Sequence, residues 1–142
     1  MSERLDVSMH FNGKAEDAAR FYGSVFGKQA SIMKFKDFPT FDQMENVEPE
    51  YVGHAEIVFD NANLMFTDST YPQITQGNNI TLSWWTDDES RFDQVWDAFV
   101  GGGSTVSQKP KSTFFSKLQG SLTDPFGTSW MLLYNPSTQT EG

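Results

Sequence analysis

Leu5, Val7, Met9 and Phe11 alternate with Asp6, Ser8 and His10, and this period of two predicts a strand over Leu5–Phe11. Asn12-Gly13 breaks the alternation. Ala15, Ala18, Ala19, Tyr22, Val25 and Phe26 then recur at helical spacing, and Gly27 supplies a stop because glycine takes the left-handed conformation without a Cβ clash. Ala30–Phe35 reads as a second strand. Lys36–Glu50, with Pro39, Pro49 and several acids, reads as a long loop. Tyr51–Phe59 and Asn63–Asp68 follow as two strands joined by a turn at Asp60-Asn61-Ala62.

A second series begins after the polar stretch Ser69–Asn78, which is read as a linker. Ile80–Trp85 alternates again. Thr86-Asp87-Asp88-Glu89 has the spacing of a capping box, with Thr86 as the cap and Glu89 reaching back. Phe92, Val95, Trp96, Phe99 and Val100 form the apolar stripe of the helix that it opens, and Gly101-Gly102-Gly103 closes it. Thr105–Gln108, Phe115–Thr123 and Ser129–Tyr134 complete three strands, the last two joined by the turn Asp124-Pro125-Phe126-Gly127. The tail Asn135–Gly142 is polar and expected to fray.

The two series match at an offset of 74: Phe11 falls on Trp85, Ala18 on Phe92, Phe21 on Val95, Tyr22 on Trp96, Val25 on Phe99, Gly27 on Gly101 and Ile32 on Val106. Each half therefore reads β-α-β-β-β, about residues 5–68 and 79–134 of a single domain spanning 1–142. Only 37% of the 142 residues are hydrophobic, yet 13 Phe, four Trp and four Tyr supply large rings, and each buried ring removes about 150–250 Å² from water. A net charge of −9 repels phosphate backbones and argues against nucleic-acid binding. The longest apolar run, Trp130–Tyr134, is too short to cross a bilayer, and no apolar export segment is read in Met1–Phe11, so a cytoplasmic location is expected. Zero cysteines exclude disulfides, thiolate metal sites and cysteine nucleophiles.

Several motifs in this order carry a resemblance. Ala15-Glu16-Asp17-Ala18-Ala19-Arg20-Phe21-Tyr22, then Phe26-Gly27, His54-Ala55-Glu56, Asp68, and Asp124-Pro125-Phe126-Gly127 leading to Trp130 resemble the PhnB-like group of the glyoxalase/bleomycin-resistance/dioxygenase (vicinal oxygen chelate) superfamily. The resemblance spans about Leu5 to Tyr134. It implies an α+β fold of two βαβββ modules, curled mixed sheets around a cavity, and a homodimer. Some members of the group carry a methyltransferase label, but no Gly-rich loop after an early strand is present here to cradle a nucleoside cofactor.

Alternation assigns candidate residues to faces. If Val7, Met9 and Phe11 pack under the helices, Asp6, Ser8 and His10 face the other way; if Ala55, Ile57 and Phe59 pack, His54, Glu56 and Val58 are left on the opposite face. His54 and Glu56, two apart on one strand, project together about 6–7 Å apart, a geometry that suits ligand anchoring, a general base pair or two metal ligands. A divalent metal would need His10, Asp6 or Asp68 as well. The resemblance places a last-strand carboxylate where this chain has Met131, and a first-strand histidine in the second half where Asn79–Thr81 has none, so no metal or other cofactor is expected. Asp68 reads most simply as a turn acceptor at its strand end. Only one of Trp84 and Trp85 can face the helices, and Trp130 and Met131 pose the same choice; Ser83, Trp85 and Trp130 are therefore cavity candidates beside His10, His54 and Glu56. The expectation is a small-molecule-binding protein without an assigned reaction. The alternatives are a metal-dependent lyase, isomerase or dioxygenase with a reduced ligand set, and a structural or sequestering dimer whose cavity is plugged by Trp85 or Trp130.

Overall fold

In the computed structural model, residues 2–69 and 74–137 are described. The linker expected at Ser69–Asn78 and the tail expected at Asn135–Gly142 fall partly outside them. The chain divides into two units, Met1–Thr75 and Gln76–Gly142, and each is a βαβββ module.

The first module runs β1 (Val7–Phe11), α1 (Ala15–Phe26), β2 (Ser31–Lys34), β3 (Val52–Val58) and β4 (Asn63–Asp68). Its sheet has the order β1-β4-β3-β2, with β1 parallel to β4 and the other pairs antiparallel. The expected loop between β2 and β3 holds two 3₁₀ turns, Phe35–Asp37 and Phe41–Gln43. The apolar stripe of α1 buries Ala15, Ala18, Ala19, Tyr22, Val25 and Phe26. Small alanines let the helix approach the sheet, and Tyr22 then stacks on Phe66 of β4 with centroids 5.7 Å apart. Met9, Ala55, Ile57, Leu64 and Phe66 form the sheet side of this core. Gly27 ends α1 at φ 63°, in the left-handed region, as its sequence position requires.

The second module runs β5 (Thr81–Thr86), α2 (Glu89–Gly101), β6 (Thr105–Lys111), β7 (Leu118–Thr123) and β8 (Ser129–Tyr134), in the same sheet order β5-β8-β7-β6. Phe92, Val95 and Phe99 of α2 are buried, as are Leu122, Trp130 and Leu132 of the sheet. The sixth strand extends past its expected end through Pro110, which an edge strand tolerates because the missing N–H need not join a ladder. The seventh begins three residues late: Thr113 Oγ1 accepts from Phe115 N and Ser116 N, so residues 113–116 form a side-chain-stabilised turn. Asn135 is not frayed. It is buried, accepts from Lys117 N and donates to the Phe115 carbonyl.

The repeat is real but slips. The helices begin 74 residues apart, at Ala15 and Glu89. In the sheets, however, Phe11 pairs with Asp68 at the end of β4 while Thr86 pairs with Tyr134 at the end of β8. Phe11 is therefore equivalent to Thr86, and His10 rather than Phe11 to Trp85. The cause is the strand–helix connection, which is one residue shorter in the second module.

Candidate functional site

Burial sorts the two faces of each sheet. On β3, Val52, Ala55 and Ile57 are buried while His54 and Val58 are exposed and Glu56 is half-buried, so His54 and Glu56 share the face turned away from α1. On β1, Met9 is buried and Ser8 and His10 are exposed on that same face. His54 Nε2 stands 3.6 Å from Glu56 Oε1. The other oxygen of Glu56 accepts a short hydrogen bond from Asn63 Nδ2 on β4. Asn63 is itself held, donating its backbone N–H to Asp6 Oδ1 at 2.9 Å. Asp6, expected on the open face, is thus engaged at the start of β4 and with Arg4, 3.0 Å away. Asn63 escaped the sequence reading because it opens its strand as a lone polar side chain, and only the pairing of Val58 with Asn63 brings its amide beside Glu56.

His10 Nδ1 lies 3.1 Å from Ser69 Oγ. The strand carrying His10 is separated from that of His54 by β4, a distance of about 10 Å across a sheet. Among the described residues, no three of His, Asp and Glu come together as metal ligands would. The donor set therefore does not fit a divalent metal.

Asp68 does more than end its strand. Its carboxylate, 4% exposed, accepts from Gly13 N, Ala15 N and Val52 N at 2.8–3.0 Å. It thereby fixes the entry of α1 to the start of β3, satisfying donors at a helix N-terminus that have no intrahelical partner. These bonds also leave the first strand–helix turn with its amides taken by the chain's own carboxylate, which is not the open cradle a nucleoside cofactor needs.

In the second module the open face carries Trp85 and Met131 among small polar residues. Ser83 and Trp85 point away from α2, Trp85 being 48% exposed, while Trp84 turns inward beneath Arg91. Trp130 corrects the sequence expectation. It is buried under α2 against Phe99, and its indole N–H donates to Asp124 Oδ2 at 2.8 Å, so it is core and neither lines nor plugs a cavity. Met131, in register with Ser83 and Ser121, takes the open face. Alternation assigned the pair to opposite faces but left open which was which. Gln119, in register with Leu133 and through it with Trp85, has a buried side-chain carbonyl without a hydrogen-bond partner among the described residues.

Each helix is also tuned at its start. In α1, the Arg20 guanidinium bonds Glu16 and holds its carboxyl below the usual range. In α2 the cap is Asp88, not Thr86: Asp88 accepts from Ser90 N and Arg91 N, and its bonds to Ser90 and to Arg91 N lower its pKa. Thr86 instead accepts from Asp88 N.

Two βαβββ modules, each a four-stranded mixed sheet backed by one helix, define a glyoxalase-like protein. Solved structures agree. A protein from Pseudomonas aeruginosa superposes with a TM-score of 0.78 at 23% identity, covering 96% of this chain and all of its own. The PhnB protein from Bacillus cereus gives a TM-score of 0.71 at 26% identity, with 94% of this chain and all of that one covered. A glyoxalase/bleomycin resistance protein/dioxygenase family enzyme from Burkholderia phytofirmans gives 0.61 at 16% identity, covering 92% of this chain and 98% of that one. No curated protein matches. The model of the 3-demethylubiquinone-9 3-methyltransferase family matches residues 3–133, and the chain belongs to that family, as a PhnB-like member of the glyoxalase superfamily. No helix among the described residues is long and apolar enough to cross a membrane.

Proposed function

We propose that the chain binds a small polar organic molecule on the open face of its first sheet, with His54 and Glu56 as anchors and Ser8 and His10 beside them. The observation that carries this reading is the braced pair: Glu56 is fixed by Asn63 while His54, 3.6 Å away, stays accessible. A half-buried carboxylate with one oxygen committed presents the other as a charge-assisted acceptor, and the imidazole beside it donates or accepts according to tautomer. That combination suits a ligand carrying a hydroxyl or amide.

The reading includes a homodimer built on the aromatic surface of the second module. Supporting it, Phe114 is fully exposed and packs edge-on against Phe115, which in turn lies near the half-exposed Trp85. Exposed rings clustered this way are what an association site needs. A metal-dependent lyase, isomerase or dioxygenase would find no third donor near His54 and Glu56 among the described residues. A methyl-transfer reaction named by the family would need a donor site that the occupied α1 entry does not offer. The alternative of a plugged, purely structural dimer loses Trp130 to the core, leaving Trp85 alone.

A thermal-shift screen with polar metabolite mixtures tests the binding reading. Compounds that stabilise the native chain are expected to lose about tenfold or more in affinity in a Glu56→Gln variant, since a hydrogen bond to a charged group contributes about 1.5–3 kcal/mol. Stabilisation that persists unchanged in the variant would refute the assignment.

A further inference from the structure

A cavity of about 370 Å³ opens at the other end of the first module, where the segment between the second 3₁₀ turn and β3 folds against the end of β4. Its size is that of a small-ligand pocket. Its walls are of two kinds. Phe35, Val47 and Tyr51 give an apolar side, and Glu45 and Glu48 line the other. Asp68 lines it too, more than nine-tenths buried. One oxygen of that carboxylate takes two of its three N–H bonds and the other takes only Val52 N, so the second oxygen keeps acceptor capacity.

The wall is tied down. Phe35 N bonds the Tyr51 carbonyl, Lys36 N the Pro49 carbonyl, and Tyr51 N the Glu48 carbonyl. Asn46 sits at φ 59°, in the left-handed region that asparagine tolerates better than most residues. What the cavity lacks is a cation. No Lys or Arg lines it, and among the described residues neither Glu45 nor Glu48 has an ion-pair partner. The nearby Lys34 and Lys36 are committed to Glu50, at 3.1 and 2.7 Å. Their hydrogen bonds hold the Glu50 carboxyl below its usual range.

We propose that this cavity binds a small organic cation, an alkylammonium whose hydrocarbon part lies on Phe35, Val47 and Tyr51 and whose charge faces Glu45, Glu48 and Asp68. Aromatic faces and carboxylates both attract an ammonium, and an anion of the same shape meets only repulsion. The site does not rest on the His54–Glu56 reading, although Ser69 in its wall lies 3.1 Å from His10 Nδ1. The test is a backbone-amide NMR titration of the whole chain with n-butylammonium, n-butyrate and n-butanol at constant ionic strength. Butylammonium is expected to shift the amides of residues 45–48, 50–51 and 67–69, with butyrate and butanol much weaker. The double variant Glu45→Gln, Glu48→Gln, both exposed positions, is expected to weaken butylammonium by about three- to tenfold, as the loss of two exposed charge partners should. Asp93→Asn, an exposed position on α2 of the second module, is expected to leave it unchanged. Equal binding of butanol or butyrate, no shift in these segments, or an unaltered affinity in the double variant would each overturn the proposal.

Discussion

Asp68 and Asp124 each gather donors from separate parts of the chain onto one carboxylate. Asp68 joins the start of α1 to β3; Asp124 accepts from Phe126 N and Thr128 N in its turn and from the Trp130 indole across it. Removing an acceptor strands buried N–H groups, which costs about 1–3 kcal/mol apiece where water cannot replace it. Asp68→Ala is therefore expected to lower stability by about 3 kcal/mol in urea unfolding, with Asn recovering only part because its amide NH₂ cannot accept from Val52 N. A loss under about 0.5 kcal/mol, the scale of a surface substitution, would show that these bonds do not hold the module together. The residue scale is also where the sequence was hardest to read. Alternation placed His54 and Glu56 on one face correctly. It could not find Asn63, because only the cross-strand pairing brings its amide to Glu56, nor choose between Trp130 and Met131, because parity alone lacks an origin.

Helices and strands carry the next set of constraints. The second helix is capped by Asp88, whose folded pKa lies below its ordinary 3.8. A lowered carboxylate pKa means the unfolded chain binds the proton more readily. The cap's charge-dependent contribution is therefore complete above about pH 5 and fades as pH falls through 3.8 toward the lowered value. Asp88→Asn keeps a capping oxygen but cannot titrate. Compared with the native chain it is expected to lose less stability between pH 5 and pH 3; parallel losses would remove Asp88 as a titrating cap. The second constraint is a close approach. A Cβ at Gly120 would stand 2.5 Å from the Trp96 ring, which is stacked on Phe92. Gly120→Ala is expected to cost about 1–3 kcal/mol by calorimetry, an overpacking penalty; no change would mean that Trp96 yields freely. Element order, both helices and the strands β4 and β8 were legible from periodicity. The register between halves was not, since one residue fewer before α2 shifts a strand match from Phe11 to His10 without disturbing the helix match.

At the scale of the molecule, two modules of one architecture present different chemistry on their open faces. The first offers histidines, a carboxylate and hydroxyls, and the second Trp85, Met131 and exposed phenylalanines. The duplication was legible because aromatic and alanine positions recur in order; the difference in use was not, because it depends on which side of each strand meets its helix. If the aromatic surface of the second module pairs two copies, sedimentation is expected to give twice the 16.1 kDa of one chain. Phe114→Asp is expected to return it to one. Added salt should strengthen the pairing by screening the charge of −9 on each copy. A monomer at all salt concentrations would contradict that reading. The central claim, that the braced His54–Glu56 face holds a small polar molecule, is tested most directly by mapping amide shifts on a compound recovered from the stability screen. The expected result is a set of shifts centred on Ser8, His10, His54 and Glu56 that disappears in Glu56→Gln; shifts confined elsewhere, or retained in that variant, would contradict it.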